Sequence, residues 1–145
     1  MKTYADTSLL FSLYGTDAHS AKADAWRRAN PDPLPLTPFH RLELRNALSL
    51  AVFQRRLTPA EIQSAWQEVE NDPTAGILVA RDAVWNHIFS DAETFALNHT
   101  SLIGCRTLDV LHVAVAKITG TAEFRTFDIR QADLANKVGM ATIIP

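Results

Sequence analysis

Several features are scarce or missing in this sequence, and each absence excludes a class of protein. A single cysteine, Cys105, permits no internal disulfide and no thiolate zinc site, which fits a reducing compartment. The histidines form no HxxxH or HExxH pair. No stretch approaches the roughly twenty apolar residues of a membrane span, and the N-terminus lacks a basic region followed by an apolar run. We therefore expect a soluble, cytoplasmic protein that does not bind membranes.

The chain also lacks a strong excess of one charge. Its formal net charge of −2 argues against a protein that coats nucleic acid by bulk electrostatics, although a local basic patch is still allowed. What it does have is a large apolar fraction, 47% of 145 residues, which is enough for a substantial core. We expect one domain spanning residues 1–145.

Short apolar runs that alternate with helical patterns predict an α/β protein. The runs are bounded by turn residues, as buried strands are. The predicted strands are Thr3 to Ala5, Leu34 to Thr37, Glu123 to Thr126 and Ala141 to Ile144. The predicted helices are Ser8 to Tyr14, His19 to Asn30, Phe39 to Arg55, Thr58 to Asp72, Arg81 to His99, Thr107 to Thr119 and Ile129 to Val138. The residues Thr58 to Glu61 predict a capping box with Pro59 at the first helical position. This alternation predicts a layered fold with a mainly parallel central sheet.

Two acids follow predicted strands. Asp6 comes directly after the first strand, and Asp128 follows the strand that contains Phe124. Ligand sites in open α/β sheets form outside the C-terminal ends of strands, so these two carboxylates are candidates to converge. Each also has a structural interpretation as the N-cap of the helix that follows it.

Two further acids lie on predicted helix faces that are otherwise apolar. Glu43 shares a face with Phe39, Ala47 and Leu50. Asp109 shares one with Cys105, Val113 and Ala116. Both could be edge residues of imperfect amphipathic helices. If they are buried, they need partners, because a lone buried carboxylate is unfavourable.

A shared cation would satisfy all four acids at once. Hard oxygen ligands select Mg²⁺ or Mn²⁺, and such a site suits phosphate chemistry. Crowded carboxylates repel one another, so we expect their pKa values to be raised in the empty site. His112, three residues after Asp109, could form a DxxH metal pair, but we favour a histidine at the edge of the core. The three tryptophans are assigned to helix packing.

Four segments in order resemble the PIN-domain nucleases, particularly the VapC-type toxins of bacterial toxin–antitoxin pairs. They are YADTSLL with Asp6, LTPFHRLELRNAL with Glu43, RTLDVLHVAVA with Asp109 and FRTFDIRQADLANKVGM with Asp128. The resemblance implies a three-layer α/β/α fold of four or five short strands, in which the four acids bind one or two Mg²⁺ or Mn²⁺ ions. It also implies metal-dependent cleavage of RNA.

The resemblance implies further roles around the acids. Thr126 matches a T-x-D element, Thr7 and Ser8 match small polar residues after the first acid, and Asn46 matches an amide one turn beyond Glu43. We carry these four as supporting residues. Many relatives have another acid shortly before the third motif, whereas Gly104 to Thr107 contains none, which leaves the second metal ion open. Three arginines are candidate phosphate contacts, although for each we favour a solvated surface charge: Arg106, Arg125 and Arg130.

The resemblance also implies a cognate antitoxin that restrains the activity, and a homodimer. The helical hairpin Phe39 to Asp72 is where we expect such contacts. Two other functions stay open. One is a non-catalytic PIN-like module that binds RNA or protein. The other is a phosphatase that forms an aspartyl-phosphate on Asp6, which is disfavoured because Ser8 stands where that class has a second acid.

Overall fold

The computed structural model describes residues 2–143, with Ile143 described by its backbone alone. The chain divides into two compact units. Unit 1 comprises Met1–Asp6 and Asp82–Pro145, and unit 2 comprises Thr7–Arg81. The expected single domain stays a prediction. No helix within residues 2–143 is both long and apolar enough to cross a membrane.

Within residues 2–143, five short strands form two parallel sheets, as expected for an α/β protein. They are β1 (Thr3–Ala5), β2 (Leu34–Leu36), β3 (Leu78–Ala80), β4 (Glu123–Arg125) and β5 (Ala141–Ile143). Unit 1 contains the sheet with strand order β1-β4-β5, and unit 2 contains the pair β2-β3. All of these pairings are parallel. The predicted end of the last strand, Ile144, lies outside the described residues.

The register of the larger sheet follows from its apolar residues. Tyr4 on β1 pairs with Phe124 on β4, and their stacked rings lie 5.4 Å apart. Both side chains are fully buried. Short strands that are apolar on both faces are typical of a parallel sheet covered by helices.

Eight α-helices and one π-helical turn connect the described strands. Unit 2 contains α1 (Thr7–Tyr14), α2 (Ser20–Ala29), α3 (Pro38–Phe53) and α4 (Pro59–Ala75). Unit 1 contains α5 (Trp85–Phe95), α6 (Ser101–Ile103), α7 (Thr107–Ile118) and α8 (Ile129–Lys137). The predicted helix from Arg81 to His99 is wrong in its bounds. Its α-helical part begins at Trp85 and ends at Phe95, and the π-helical turn Ala96–Thr100 follows.

The start of α4 confirms the capping box predicted from the sequence. Thr58 Oγ1 accepts a hydrogen bond from the Glu61 N–H at 3.2 Å, and Glu61 Oε2 accepts one from the Thr58 N–H at 2.6 Å. Pro59 occupies the first helical position. The helix ends at Gly76, which adopts the left-handed conformation with φ of 73°.

Helix α7 is buried along most of its length. Every residue from Asp109 to Ala116 is buried, so this helix is covered on all sides. A carboxylate and a histidine, Asp109 and His112, lie inside this apolar stretch. Because buried polar groups require partners, their contacts define the chemistry of unit 1.

Candidate functional site

Two of the predicted acids lie at one edge of the larger sheet. Asp6 directly follows β1, and Asp128 lies three residues after the end of β4. The Asp6 N–H donates to the Arg125 carbonyl at 3.1 Å, which extends the β1–β4 pairing by one residue. The C-terminal ends of parallel neighbours share one edge, so the topology accounts for the proximity of these two residues.

Thr126 links these two acids through its hydroxyl group. Its Oγ1 donates to Asp6 Oδ2 at 2.8 Å and accepts a hydrogen bond from the Asp128 N–H at 2.9 Å. Thr126 is fully buried, and Asp6 is only 1% exposed. A buried hydroxyl that donates to a carboxylate fixes the orientation of that carboxylate. The supporting residue predicted from the sequence therefore lies between two of the four acids.

Asp128 is the N-cap of α8, as its structural interpretation predicted. Its Oδ1 accepts hydrogen bonds from the Arg130 N–H at 2.9 Å and the Gln131 N–H at 3.4 Å. Its other carboxylate oxygen, Oδ2, lies 3.6 Å from Arg106 Nη2. One oxygen thus stabilises the helix start, while the second faces a guanidinium group.

Asp109 is buried and receives four hydrogen bonds from two residues, the longest from Arg106 Nη2 to Oδ1 at 3.5 Å. Its Oδ2 accepts from the backbone N–H and from Nε of Arg106, both at 3.1 Å. Its Oδ1 accepts from Gln131 Nε2 at 2.8 Å. Burial raises the pKa of Asp109, but the hydrogen bonds from Arg106 and Gln131 outweigh it and hold the pKa below its ordinary value. The expectation that crowding raises the pKa is therefore wrong for this acid.

Arg106 contacts both Asp109 and Asp128. It precedes α7, its Nε binds Asp109, and its Nη2 approaches Asp128, although its side chain is 68% exposed. Arg130 is half-exposed, and its Nε lies 3.7 Å from Asp128 Oδ1. Two of the three candidate phosphate contacts therefore lie beside the acids, at the surface. Their contact with a substrate stays a prediction.

Arg125, the third candidate, has a different environment. It is 7% exposed and lies on β4, where its Nη2 is 3.3 Å from Glu123 Oε2. Its interpretation as a solvated surface charge is wrong, because the pairing with Glu123 allows the guanidinium to be buried within the sheet. Its role as a phosphate contact stays a prediction.

Gln131 belongs to the acid cluster, which consists of Asp6, Asp109 and Asp128 with the side chains that contact them. It was not predicted from the sequence. It is 5% exposed and donates to Asp109 from α8. The available signal was its position three residues after Asp128, which is the spacing of a capping box. That pattern predicts a bond back to the cap residue, so it would have identified Gln131 for the wrong partner.

Glu43 and its supporting residues lie in unit 2. Glu43 is half-buried on α3, and Thr7 Oγ1 donates to its Oε2 at 3.0 Å. Ser8 and Asn46 are exposed. The buried residues of α3 are His40, Leu44, Leu48 and Ala51. The expectation that Glu43 lies on the packed face is wrong in this respect, because it lies beside that face, with Leu50 45% exposed.

The histidine and the cysteine near Asp109 have their own roles. His112 is 2% exposed, and its Nδ1 lies 2.7 Å from the Tyr4 hydroxyl, which confirms a core histidine. Burial raises the pKa of Cys105, and the negative charges of Asp109 and Asp128 raise it further. Cys105 is therefore a neutral thiol, and the cluster offers only oxygen donors to a cation.

The donor chemistry of the cluster fits Mg²⁺ or Mn²⁺. Carboxylates from Asp6, Asp109 and Asp128 lie in one hydrogen-bonded network, and the buried Oε1 of Gln131 has no hydrogen-bond donor within residues 2–143. Hard oxygen donors of this kind suit these two ions. In the part of the chain that the structure describes, no three His, Cys, Asp or Glu side chains are already spaced to hold a metal. Arg106 supplies the positive charge between Asp109 and Asp128.

Three solved structures are similar to this chain in fold. The Mycobacterium tuberculosis VapC20, described as a sarcin–ricin loop cleaving toxin, has a TM-score of 0.71 at 16% identity, covering 99% of this chain and 100% of that one. FitAcB from Neisseria gonorrhoeae has a TM-score of 0.65 at 18% identity, covering 97% and 96%. FitAB bound to an IR36 DNA fragment has a TM-score of 0.67 at 17% identity, covering 99% and 94%.

These similarities at low identity establish a shared fold. A comparison with curated proteins gives no match. The family model described as the PIN domain matches residues 3–137, which include the linked acids and Glu43. Because that match spans far more than half of the sequence, the chain belongs to the PIN-domain family.

Proposed function

We propose that the protein is a Mg²⁺- or Mn²⁺-dependent endoribonuclease and the toxin of a toxin–antitoxin pair. The observation that carries this proposal is the network in which Thr126, Arg106 and Gln131 join Asp6, Asp128 and Asp109. The three acids lie on different elements of unit 1. The part played by Glu43, in unit 2, stays a prediction from the sequence.

The burial of Asp6 and Asp109 supports a chemical role. Removing a carboxylate from water is unfavourable, and an apolar residue of similar size is often as stable or more stable at such a position. The chain instead keeps both acids, with Thr126 donating to Asp6 and with Arg106 and Gln131 donating to Asp109. Ionised carboxylates held in fixed orientations are what a cation site requires.

In the proposed site, Asp6 and Asp109 hold the cation directly. Asp128 would act through water or position the nucleophile, and the same role for Glu43 stays a prediction from the sequence. A bound divalent ion supplies positive charge at a scissile phosphate and lowers the pKa of a water molecule. The products of hydrolysis by water would carry 5′-phosphate and 3′-hydroxyl ends.

The other residues of the network position these acids. Thr126 fixes Asp6 with one hydrogen bond, and Gln131 fixes Asp109 from the neighbouring helix. Arg106 keeps Asp109 ionised and, being mostly exposed, can turn towards the phosphate of a bound RNA. Arg130 lies at the same surface and adds a second positive charge.

The proposed biological role draws on the structural relatives and on one surface. VapC20 is described as a sarcin–ricin loop cleaving toxin. On α3, Leu42 is 70% exposed and Phe53 is 85% exposed. Large apolar side chains at the surface are typical of contacts with another protein. We propose that this helix contacts an antitoxin or a second copy of the chain.

A non-catalytic PIN-like module is the second candidate. It is favoured by Arg106, which already supplies the charge that a cation would bring to Asp109 and Asp128. In such a module the three acids would serve the fold alone. The two functions differ in one measurable property, the dependence of RNA cleavage on a divalent ion.

Cleavage of a structured RNA in Mn²⁺, with and without chelator, tests the proposal. The proposal predicts cleavage in Mn²⁺, loss of cleavage with chelator, and products with 5′-phosphate ends. Asp6→Asn is expected to lose cleavage, while Asp133→Asn, at an exposed position on α8, serves as the matched control. Equal cleavage in all samples, or cyclic phosphate ends, would contradict metal-dependent hydrolysis. No cleavage of any RNA would favour the binding module.

A further inference from the structure

The side chain of Gln131 makes a hydrogen bond with only one of its two polar atoms. Its Nε2 donates to Asp109 Oδ1 at 2.8 Å. Its Oε1 is buried and has no hydrogen-bond donor among residues 2–143. The residue as a whole is 5% exposed. A buried acceptor without a donor is unfavourable, and an apolar residue at this position would avoid that loss.

Helix capping does not account for Gln131. At the third position after an N-cap, glutamine ordinarily accepts a hydrogen bond from the cap residue's own N–H. Here the Asp128 N–H donates to Thr126 Oγ1 instead. Thr126 therefore replaces glutamine as the acceptor for the N–H of the cap residue. The Gln131 side chain instead donates to Asp109 on α7.

The carboxylate of Asp109 determines which way the amide of Gln131 points. An ionised carboxylate only accepts hydrogen bonds, so the NH₂ group must face it. Accordingly, Gln131 Nε2 lies 2.8 Å from Asp109 Oδ1. The amide oxygen is then held on the other branch of the same planar group, where it is buried from solvent.

We propose that Gln131 is a ligand of the cation site: Oε1 binds the divalent ion while Nε2 positions Asp109. This inference rests on the function proposed above. Amide oxygens are neutral, hard ligands that accompany carboxylates around such ions. The missing partner of Oε1 is then the cation itself. The amide nitrogen of Gln131 orients the ligand Asp109, and its oxygen is itself a ligand. These two roles account for the burial of Gln131 in the acid cluster.

Calorimetric titration of the purified protein with Mn²⁺ tests the inference. Gln131→Leu removes both polar atoms at similar size and is expected to weaken Mn²⁺ binding by about tenfold or more. Gln131→Glu keeps an oxygen at the same place but loses the NH₂ donor. It is expected to bind Mn²⁺ at least as tightly as the wild type. Gln63→Leu, at an exposed position on α4, is the matched control and is expected to leave binding unchanged.

The two glutamine variants distinguish a ligand from a residue that only supports Asp109. If Gln131 acts through its NH₂ group alone, Gln131→Glu weakens Mn²⁺ binding as much as Gln131→Leu does, and the inference is overturned. Unchanged binding by Gln131→Leu overturns it as well. Circular dichroism without metal shows whether each variant is folded. If Gln131→Leu does not fold, the change in Mn²⁺ affinity of Gln131→Glu still decides: weaker binding overturns the inference, and binding as tight as in the wild type supports it.

The result for the wild type separates this inference from the proposed function. Binding of Mn²⁺ by the wild type but not by Asp6→Asn supports the metal site, and the Gln131 variants then test the ligand alone. Absence of Mn²⁺ binding by the wild type at millimolar concentration overturns both the metal site and the role of Gln131. The electron paramagnetic resonance signal of free Mn²⁺, which falls on binding, gives the same comparison without any measurement of activity.

Discussion

An aspartate lies at the start of each of the helices α7 and α8, and the two have different surroundings. Asp128 precedes α8, its side chain is 20% exposed, and its Oδ1 accepts from two backbone N–H groups of the helix. Asp109 is the third residue of α7 and is 4% exposed. It accepts one backbone hydrogen bond, from Arg106, and its other bonds come from the side chains of Arg106 and Gln131.

This difference shows which acid the fold needs for its own stability. Capping gives Asp128 a structural reason to be present. The backbone bond from Arg106 to Asp109 has a counterpart in α4, where Glu61 accepts from the Thr58 N–H at an exposed position. Capping therefore does not require a buried acid, and the burial of Asp109 calls for another explanation. The proposed cation site provides one.

The largest expected effect comes from neutralising the two aspartates separately. Asp109→Asn is expected to lower the rate of RNA cleavage by about a hundredfold or more, because it removes a charged ligand. Asp128→Asn is expected to lower it by roughly tenfold, because a residue acting through water contributes less. Single-turnover cleavage rates in Mn²⁺ measure both. Equal losses would remove the distinction between the two acids.

A smaller effect is expected on the free energy of unfolding, and it concerns Asp128, because this residue caps α8. Asp128→Ala removes the cap of α8 and is expected to reduce the free energy of unfolding by about 1 kcal/mol. For a chain of this size that corresponds to roughly 3 °C in melting temperature. Asp128→Asn keeps a capping side chain, so its melting temperature should stay near that of the wild type. If both variants melt like the wild type, the capping role assigned to Asp128 is wrong.

The smallest expected effect concerns the arginine between the two acids. Arg106→Gln removes a positive charge near Asp109 and Asp128 and is expected to tighten Mn²⁺ binding by about two- to threefold. The effect is small because an exposed ion pair contributes little. Arg28→Gln, at an exposed position on α2, is the matched control and is expected to leave Mn²⁺ binding unchanged. Weaker Mn²⁺ binding by Arg106→Gln would mean that this arginine assists the ion instead of competing with it.

The elements with clear local signals were predictable from the sequence. The apolar run at Thr3–Ala5 has the predicted bounds, and Thr58, Pro59 and Glu61 identified the start of α4. Strand β3 was missed, because Leu78–Ala80 has three residues and depends on pairing with β2. The π-helical turn after Phe95 was missed for a similar reason, since no residue pattern distinguishes it from α-helix.

The acids of the site were predictable, but most of their partners were not. Asp6 and Asp128 follow apolar strands, and Asp109 interrupts an apolar helix, so each stands out along the chain. Gln131 becomes visible only when α7 and α8 are packed together, because its bond to Asp109 spans 22 residues. The burial of Arg125 likewise depends on its pairing with Glu123 inside the sheet.

The most direct test of the metal site is a crystal structure of the protein soaked with Mn²⁺, with anomalous diffraction recorded at a wavelength that identifies manganese. The account predicts an anomalous peak within coordinating distance, about 2.2 Å, of carboxylate oxygens from both Asp6 and Asp109. It also predicts that Arg106 has moved away from Asp109. If the soaked crystals cut RNA when dissolved but show no peak at these acids, and Arg106 stays bound to Asp109, the assignment of the site is contradicted.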